Sequence, residues 1–193
     1  MNPNINKAVE ILNKGGIVIF PTDTAFGIGC RIDNENAIKR LFEIRKRPVF
    51  QATPVLVSGV DMAKEYVLEI SENVKEKLID KFWPGALTIV LPAKKDKVPD
   101  LVRGGTDSIG VRMPNNQTVL EIIKEVSVPI LGPSANFHGE DTPYEFGELD
   151  NELIKLVDYV VNGECELKQS STVIDCTKKP WKILRQGALK VNI

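Results

Sequence analysis

Apolar residues in this chain alternate between helical spacing and short continuous runs, and this alternation constrains the fold more than any other feature. Ile5, Ala8 and Leu12 recur at the spacing of one helix face, and Gly15-Gly16 ends that helix before an apolar strand at residues 17–20. Helical and strand patterns keep alternating toward the carboxyl end. This order predicts an α/β domain with one twisted, mixed, open sheet flanked by helices.

Capping and turn residues set the bounds of the other predicted elements. Asn34 is a suitable N-cap for a helix carrying Ile38, Leu41 and Phe42, and Pro48 marks the end of that helix. The remaining predictions are helices from residue 71, over 119–126 and around 151–156, strands at 54–57, 86–91, 108–113, 130–131, 158–161, 172–174 and 181–184, and a loop at 94–106.

The composition indicates one globular domain. The chain has 193 residues, of which 42% are hydrophobic and 26% charged, and no repeat or flexible linker divides it, so we expect one domain over residues 1–193. The formal net charge of −1 provides no overall attraction to nucleic acid or an anionic membrane. Contact with a polyanion therefore requires a local basic patch, for which Arg45 and Arg47 are candidates.

The amino terminus and the cysteines indicate the cellular compartment. Residues 1–10 lack the basic start and apolar run of a secretory signal, and no run reaches the roughly 18 apolar residues of a membrane span. Cys30, Cys165 and Cys176 form no close pair of the kind found in zinc or redox motifs. We therefore expect a cytoplasmic protein with reduced, mostly buried thiols and no membrane partner.

Hydroxyl-bearing residues follow the first predicted strand. Thr22 and Thr24 lie directly after residues 17–20, at a strand end where ligands collect in open α/β sheets. A threonine-rich turn capped by Asp23 is the structural alternative. Gly27-Ile28-Gly29 lacks the third glycine of a dinucleotide fingerprint, and the chain has no phosphate-binding P-loop. A nucleotide bound here requires another mode of capture.

Arginines at the ends of predicted helices and strands are candidates to bind the phosphates of such a nucleotide. The guanidinium groups of Arg45 and Arg47 can pair bidentately with phosphate oxygens, and Arg185 follows a predicted strand in the same way. Solvated surface arginines are the alternative for each of them. Arg112 lies inside an apolar strand, where an unpaired charge is costly, so it requires a carboxylate partner that is either substrate or an internal acid.

Further polar groups follow later strands, and none forms a catalytic triad. Ser134, Asn136 and Thr142 lie in and after the Gly132–Asn136 turn, and Ser171 precedes another strand. Ordinary turn chemistry is the alternative. His138 is the one histidine, and it has no triad partners in the sequence, so we assign it a surface position. The predicted site consists of binding residues without a protein nucleophile.

The ordered set of these segments resembles the YrdC family of threonylcarbamoyl-adenylate synthases. The segments are Pro21-Thr22-Asp23-Thr24, Arg45-Lys46-Arg47-Pro48, Gly110-Val111-Arg112-Met113-Pro114, Gly132-Pro133-Ser134-Ala135-Asn136, Ser171-Thr172-Val173-Ile174-Asp175 and Ile183-Leu184-Arg185-Gln186-Gly187. The resemblance implies that L-threonine, bicarbonate or carbon dioxide, and ATP are joined into threonylcarbamoyl-adenylate with release of pyrophosphate. The product feeds the t6A modification of tRNA, so the implied partners include a downstream threonylcarbamoyl transferase machinery.

The resemblance also implies a role for individual residues. The implied contacts of L-threonine are Thr24, Arg112, Ser171 and Ser58. The implied contacts of ATP are Arg45, Arg47, Thr53, Ser108, Ser134, Asn136, Thr142 and Arg185. Mg²⁺ is implied as a companion of ATP, although the sequence contains no metal-ligand motif. Catalysis would then rest on positioning and charge neutralisation.

Three departures from the family pattern leave alternatives open. Phe26 replaces the tyrosine of the family's Thr-Val-Tyr-Gly loop, Arg45 replaces a lysine, and the segment at residues 49–58 is altered. A family paralogue with weak or different activity is one alternative, and a carbamoyl-adenylate enzyme like the homologous domain of hydrogenase maturation proteins is another. An RNA-binding module that contacts tRNA or another RNA is the alternative from a different class.

Overall fold

The computed structural model describes residues 2–191, which form two mixed sheets with helices packed against them. The strands are β1 (Val18–Phe20), β2 (Gly27–Gly29), β3 (Val55–Leu56), β4 (Leu87–Pro92), β5 (Ser108–Arg112), β6 (Ile130–Leu131), β7 (Tyr159–Val160), β8 (Thr172–Asp175) and β9 (Lys182–Arg185). The strand orders are β2-β1-β7 and β6-β3-β5-β4-β8-β9. The predicted α/β class with mixed pairing is confirmed.

The helices flank these sheets. Within the described residues they are α1 (Pro3–Asn13), α2 (Glu35–Ile44), α3 (Val60–Lys64), α4 (Glu72–Val74), α5 (Asp80–Phe82), α6 (Asp100–Arg103), α7 (Gln117–Val126) and α8 (Asn151–Leu156), with a π-helical turn at Lys75–Ile79 and a 3-10 helix at Phe146–Glu148. The predicted domain of residues 1–193 also includes Met1, Asn192 and Ile193, which lie outside the described residues.

The predicted single sheet is divided into two, which are joined at β2 and β6. The amide of Ile28 donates to the carbonyl of Pro133 at 2.9 Å, and the amide of Ala135 donates to the carbonyl of Phe26 at 2.8 Å. Gly29 lies so close to the Leu131 carbonyl that a Cβ at this position would overlap it, which explains a glycine here. The polar turns after β1 and β6 therefore lie side by side.

Helix α2 follows the predicted pattern and brings the basic segment to its place. The side chain of Asn34 accepts from the amide of Ala37 at 3.0 Å, which confirms the predicted N-cap. Ile38, Leu41 and Phe42 are buried against the main core. The helix ends at Ile44, four positions before Pro48, so Arg45 is its C-cap residue.

A second apolar cluster fixes the amphipathic helices α1 and α7 against the sheets. Ile5, Ala8 and Leu12 of α1 are buried with Ile122 and Val126 of α7. A side-chain cap begins each helix, from Asn2 in α1 and from Asn116 in α7. Apolar residues at helical spacing therefore produce the buried faces that the sequence predicts.

Several segments differ from the prediction. Residues 60–64 form the unpredicted helix α3, and the helix predicted from residue 71 is divided into α4, a π-helical turn and α5. Residues 94–106 were expected to be a loop but contain α6, whose C-cap Gly104 has φ 60°, a left-handed conformation that favours glycine. Strand β2 was not predicted, because its glycines weaken the strand pattern. The cysteines are free thiols, with Cys30 and Cys165 buried and Cys176 partly exposed. None of the helices in the described part of the chain is long and apolar enough to cross a membrane.

Candidate functional site

A cavity lies beside the junction of the two sheets and is lined mainly by hydroxyls, arginines and turn backbone. Eight of the predicted site residues contribute to its lining: Thr24, Arg45, Arg47, Arg112, Ser134, Thr142, Ser171 and Arg185. They come from segments that are far apart in sequence, because strand ends and the turns that follow them meet here. The lining also includes Thr22, which the sequence places with Thr24 after the first strand, and Phe26 and Thr88, which are not among the predicted contacts.

The turn after β1 is held by the hydroxyl of Thr22. This oxygen accepts from the amides of Thr24 and Ala25, each at 3.2 Å, and donates to the carbonyl of Ala25 at 2.6 Å. Phe26 follows in a fully buried position, with its ring edge-on to Phe146 at a centroid distance of 6.0 Å. The turn is therefore fixed before any ligand binds.

Arg112 at the end of β5 contacts this turn. Its Nη1 donates to Thr24 Oγ1 at 2.7 Å, its Nε donates to the carbonyl of Gly85 at 2.9 Å, and its Nη2 forms an ion pair with Asp23. The partner required by the sequence is therefore present as an internal acid. Burial lowers the pKa of Arg112, and the charge of Asp23 opposes that shift. A guanidinium has five N–H groups, so two have no hydrogen-bond partner among the described residues.

Arg45 is fixed by the turn after β6. Its Nε donates to the carbonyl of Asn136 at 3.0 Å, and its Nη2 donates to Asn136 Oδ1 at 3.3 Å. The hydroxyl of Ser134 donates to the same Oδ1 at 2.6 Å. Burial lowers the pKa of Arg45 to about 10, and the nearby positive charge of Arg47 makes a smaller contribution in the same direction. Its Nη1 is buried and has no hydrogen-bond partner among the described residues.

Arg47 and Arg185 complete the basic part of the lining. Arg47 donates to the carbonyls of Gln51 at 3.2 Å and Ala52 at 2.5 Å. Arg185 donates from Nε to the carbonyl of Ser171 at 2.9 Å and from Nη2 to Ser171 Oγ at 3.0 Å. Burial lowers the pKa of both arginines. Each is oriented by neutral acceptors and retains free N–H groups.

The cavity carries uncompensated positive charge. Among the described residues, Arg112 has an acidic partner, whereas Arg45, Arg47 and Arg185 have none within salt-bridge distance. Several partly buried guanidinium groups without carboxylates favour an anionic ligand with many oxygens. The hydroxyls of Ser134, Thr142 and Ser171 lie around the same space.

The other four predicted contacts lie outside the lining. Asn136 is behind it, where it orients Arg45. Ser108 begins β5, at the end opposite Arg112, and its hydroxyl lies 3.3 Å from that of Thr106. The Ser58 hydroxyl contacts the sulfur of Met62 at 3.7 Å. Thr53 is buried, and its hydroxyl has no partner among residues 2–191.

The donor set does not form a protein metal centre. No group of three or more His, Cys, Asp or Glu side chains suited to a metal is found in residues 2–191. His138 is exposed, in agreement with its predicted surface position. The lining offers hydroxyls and guanidinium groups, and these bind phosphate oxygens rather than a bare cation.

The fold and this cavity define an α/β domain with a preformed, basic cavity that suits an anionic ligand. The family model Sua5_yciO_yrdC, described as telomere recombination, matches residues 10–187. The chain therefore belongs to the Sua5/YciO/YrdC family, as the ordered segments indicated.

Individual relatives resemble the chain over nearly its whole length. It is 36% identical over 189 residues to the threonylcarbamoyl-AMP synthase of Pyrococcus abyssi, covering 97% of this chain and 55% of that protein. The crystal structure of P. abyssi Sua5 complexed with L-threonine has a TM-score of 0.90 at 35% identity, covering 95% of this chain and 54% of that one. The chain thus spans about half the length of the first curated relatives it matches, 55% and 54%.

A shorter relative is also similar. The crystal structure of Escherichia coli YciO has a TM-score of 0.85 at 28% identity, covering 95% of this chain and 88% of that one. The curated description of YciO is an uncharacterized protein. The family thus includes relatives of similar length to this chain that have no assigned activity.

Proposed function

We propose that this protein synthesises L-threonylcarbamoyl-AMP from L-threonine, bicarbonate or carbon dioxide, and ATP, and releases pyrophosphate. The observation that carries the proposal is that one cavity combines two kinds of anion-binding group. Arg112, with Thr24 and Ser171 nearby, suits a small carboxylate, whereas Arg45, Arg47 and Arg185 suit a polyphosphate. Both substrates can therefore be bound in contact with each other.

The chemistry requires no protein nucleophile. The neutral threonine amine adds to carbon dioxide and loses one proton to solvent, which gives a carbamate whose oxygen attacks the α-phosphorus of ATP. The bond from that phosphorus to the bridging oxygen breaks, and pyrophosphate leaves with the electron pair. The two free N–H groups of Arg112 would hold the carboxylate, and the arginines that lack acidic partners would neutralise the phosphates.

The proposal includes Mg²⁺ bound together with the nucleotide. The lining fits an ion held by the phosphates themselves, because its polar side chains are hydroxyls and arginines. When bound, Mg²⁺ adds charge neutralisation on the phosphate oxygens. The proposed pathway is t6A modification of tRNA in the cytoplasm, where a threonylcarbamoyl transferase consumes the product.

The test is pyrophosphate release by the purified protein with ATP, Mg²⁺ and bicarbonate. We expect release that depends on L-threonine and falls strongly with L-serine or without an amino acid. Release that is independent of the amino acid would argue against the synthase. No release from a folded protein would favour a paralogue of different activity, and salt-sensitive RNA binding in its place would favour an RNA-binding module.

A further inference from the structure

Thr88 is a buried residue of β4 that lines the cavity. It belongs to none of the six segments that resemble the YrdC family. It is 4% exposed. Its hydroxyl oxygen lies 3.0 Å from the hydroxyl oxygen of Ser171, and the described residues offer it no other hydrogen-bond partner. The pairing of β4 with β8 brings the two side chains together, since Leu87 is in register with Thr172 and Thr88 with Val173.

The orientation of Thr88 is fixed by packing. A Cβ placed on Gly110 of the neighbouring strand would lie 3.2 Å from the Thr88 methyl carbon, so this methyl group occupies the space left by the glycine. A β-branched side chain has few accessible χ1 rotamers. The methyl group packed toward Gly110 therefore fixes the hydroxyl toward Ser171.

Arg185 limits what the Ser171 hydroxyl can do. Its Nη2 lies 3.0 Å from Ser171 Oγ, and a guanidinium cannot accept, so the serine oxygen must. A hydroxyl has two acceptor positions and one proton. If Thr88 also donates to Ser171, both acceptor positions are filled and the serine proton is free to point into the cavity. If Ser171 donates instead, the free proton is that of Thr88.

We propose that Thr88 is a positioning residue that orients the Ser171 hydroxyl as a hydrogen-bond donor to a carboxylate or carbamate oxygen of the amino-acid substrate. This inference rests on the proposed function. An anionic oxygen beside Ser171 selects the arrangement in which Thr88 donates, because only then does the serine proton point to the ligand. The Ser171 oxygen then connects Arg185, on the nucleotide side, with the amino-acid side of the cavity.

The test compares two variants of the same residue. Thr88→Val retains the branched shape and removes the hydroxyl, whereas Thr88→Ser retains the hydroxyl and removes the methyl group. We expect Thr88→Val to raise KM for L-threonine about fivefold, the effect of losing the neutral hydrogen bond that orients the Ser171 hydroxyl, with KM for ATP within about twofold. Thr88→Ser should remain within about threefold of the wild type for both substrates. Thermal unfolding verifies that each variant is folded, and Thr88→Ala replaces Thr88→Val if the latter is not.

Calorimetric binding of L-threonine to the same proteins separates the inference from the proposed function. If the wild type forms product and Thr88→Val has the same KM and affinity for L-threonine as the wild type, the role of Thr88 is overturned. The proposed function is then unaffected. Equal losses in the valine and serine variants also overturn it, because the methyl group would then be responsible. A folded wild type that neither binds L-threonine nor releases pyrophosphate overturns both.

Discussion

The guanidinium of Arg112 is ion-paired with the carboxylate of Asp23, and both side chains are buried. Burial disfavours a charged guanidinium and lowers the pKa of Arg112, and the adjacent carboxylate opposes that shift. The other oxygen of Asp23, Oδ2, is buried without a hydrogen-bond partner in the described part of the chain. The pair therefore serves the site at some cost to stability, since buried ion pairs seldom repay their desolvation.

Asp23→Asn should strongly destabilise the protein. The substitution preserves shape but leaves the buried charge of Arg112 uncompensated, so we expect a loss of about 3 kcal/mol in the free energy of unfolding. Urea unfolding measures it. Asp61→Asn is the control. Asp61 pairs with Lys64 at the surface, so the free energy of unfolding of this variant should equal that of the wild type. Equal, small effects in both variants would contradict this account of the pair.

Arg47→Ala and Arg112→Ala should affect different substrates. Arg47→Ala removes a phosphate donor, so KM for ATP should rise at least tenfold with KM for L-threonine little changed, and Arg112→Ala should show the opposite pattern. Steady-state pyrophosphate release measures both constants. Lys46→Gln is the matched control, since Lys46 carries the same charge in the same segment but faces the Phe137 ring at 4.9 Å. If Lys46→Gln raised KM for ATP as much as Arg47→Ala, the loss would reflect the net positive charge of the segment and not a specific phosphate contact of Arg47.

Thr53→Val should stabilise the protein by about 1 kcal/mol. The Thr53 hydroxyl is buried without a hydrogen-bond partner among the described residues. Replacing it by a methyl group removes a desolvation penalty that no hydrogen bond offsets. Thr172→Val is the contrasting variant, because that hydroxyl donates to the carbonyl of Leu189 at 2.6 Å and accepts from the amide of Gly187 at 3.0 Å. It should lose about 1 to 3 kcal/mol. Chemical denaturation of both tests the assignment, and a destabilised Thr53→Val would refute it.

Cys30 should make the folded state less stable at alkaline pH. Burial, with a smaller contribution from the charge of Asp33, raises the pKa of its thiol from 9.0 to about 12. The unfolded chain releases this proton above about pH 9 while the folded chain retains it, so the contribution to stability is intact below pH 9 and is lost as pH rises toward 12. The free energy of unfolding should therefore fall by up to about 1.4 kcal/mol per pH unit from this group.

Cys30→Ala isolates that contribution from other groups that titrate in the same range. Its unfolding free energy should decline less steeply than that of the wild type between about pH 9 and pH 11. Parallel declines would show that the thiol titrates alike in the folded and unfolded states.

Predicted site residues come together where a motif lies at or shortly after a strand end. Arg112 ends β5 and Thr24 lies in the turn after β1, and they meet through a 2.7 Å hydrogen bond although 88 positions separate them. Ser108 lies on the same strand as Arg112, but at about 3.3 Å per residue it is carried to the other end. A motif locates the strand in the sequence, whereas only the fold determines which end faces the ligand.

Other features could not be predicted because they depend on pairing between distant segments. Thr88 lies in the middle of an apolar run and has the β-branched shape that strands favour, so nothing local distinguishes it. Its hydroxyl becomes relevant only through the register of β4 with β8. The contact between Asn136 and Arg45 likewise depends on the fold, and the nucleotide contact implied for Asn136 stays a prediction.

The most direct test of the central claim is whether labelled bicarbonate enters an adenylate. The protein is incubated with ¹³C-bicarbonate, ATP, Mg²⁺ and L-threonine, quenched rapidly, and the nucleotides are identified by mass spectrometry. We expect threonylcarbamoyl-AMP that carries one ¹³C atom, formed in equal amount to pyrophosphate by the wild type and strongly reduced in Arg112→Ala. Pyrophosphate released without a labelled adenylate, or an adenylate that lacks the label, would contradict it.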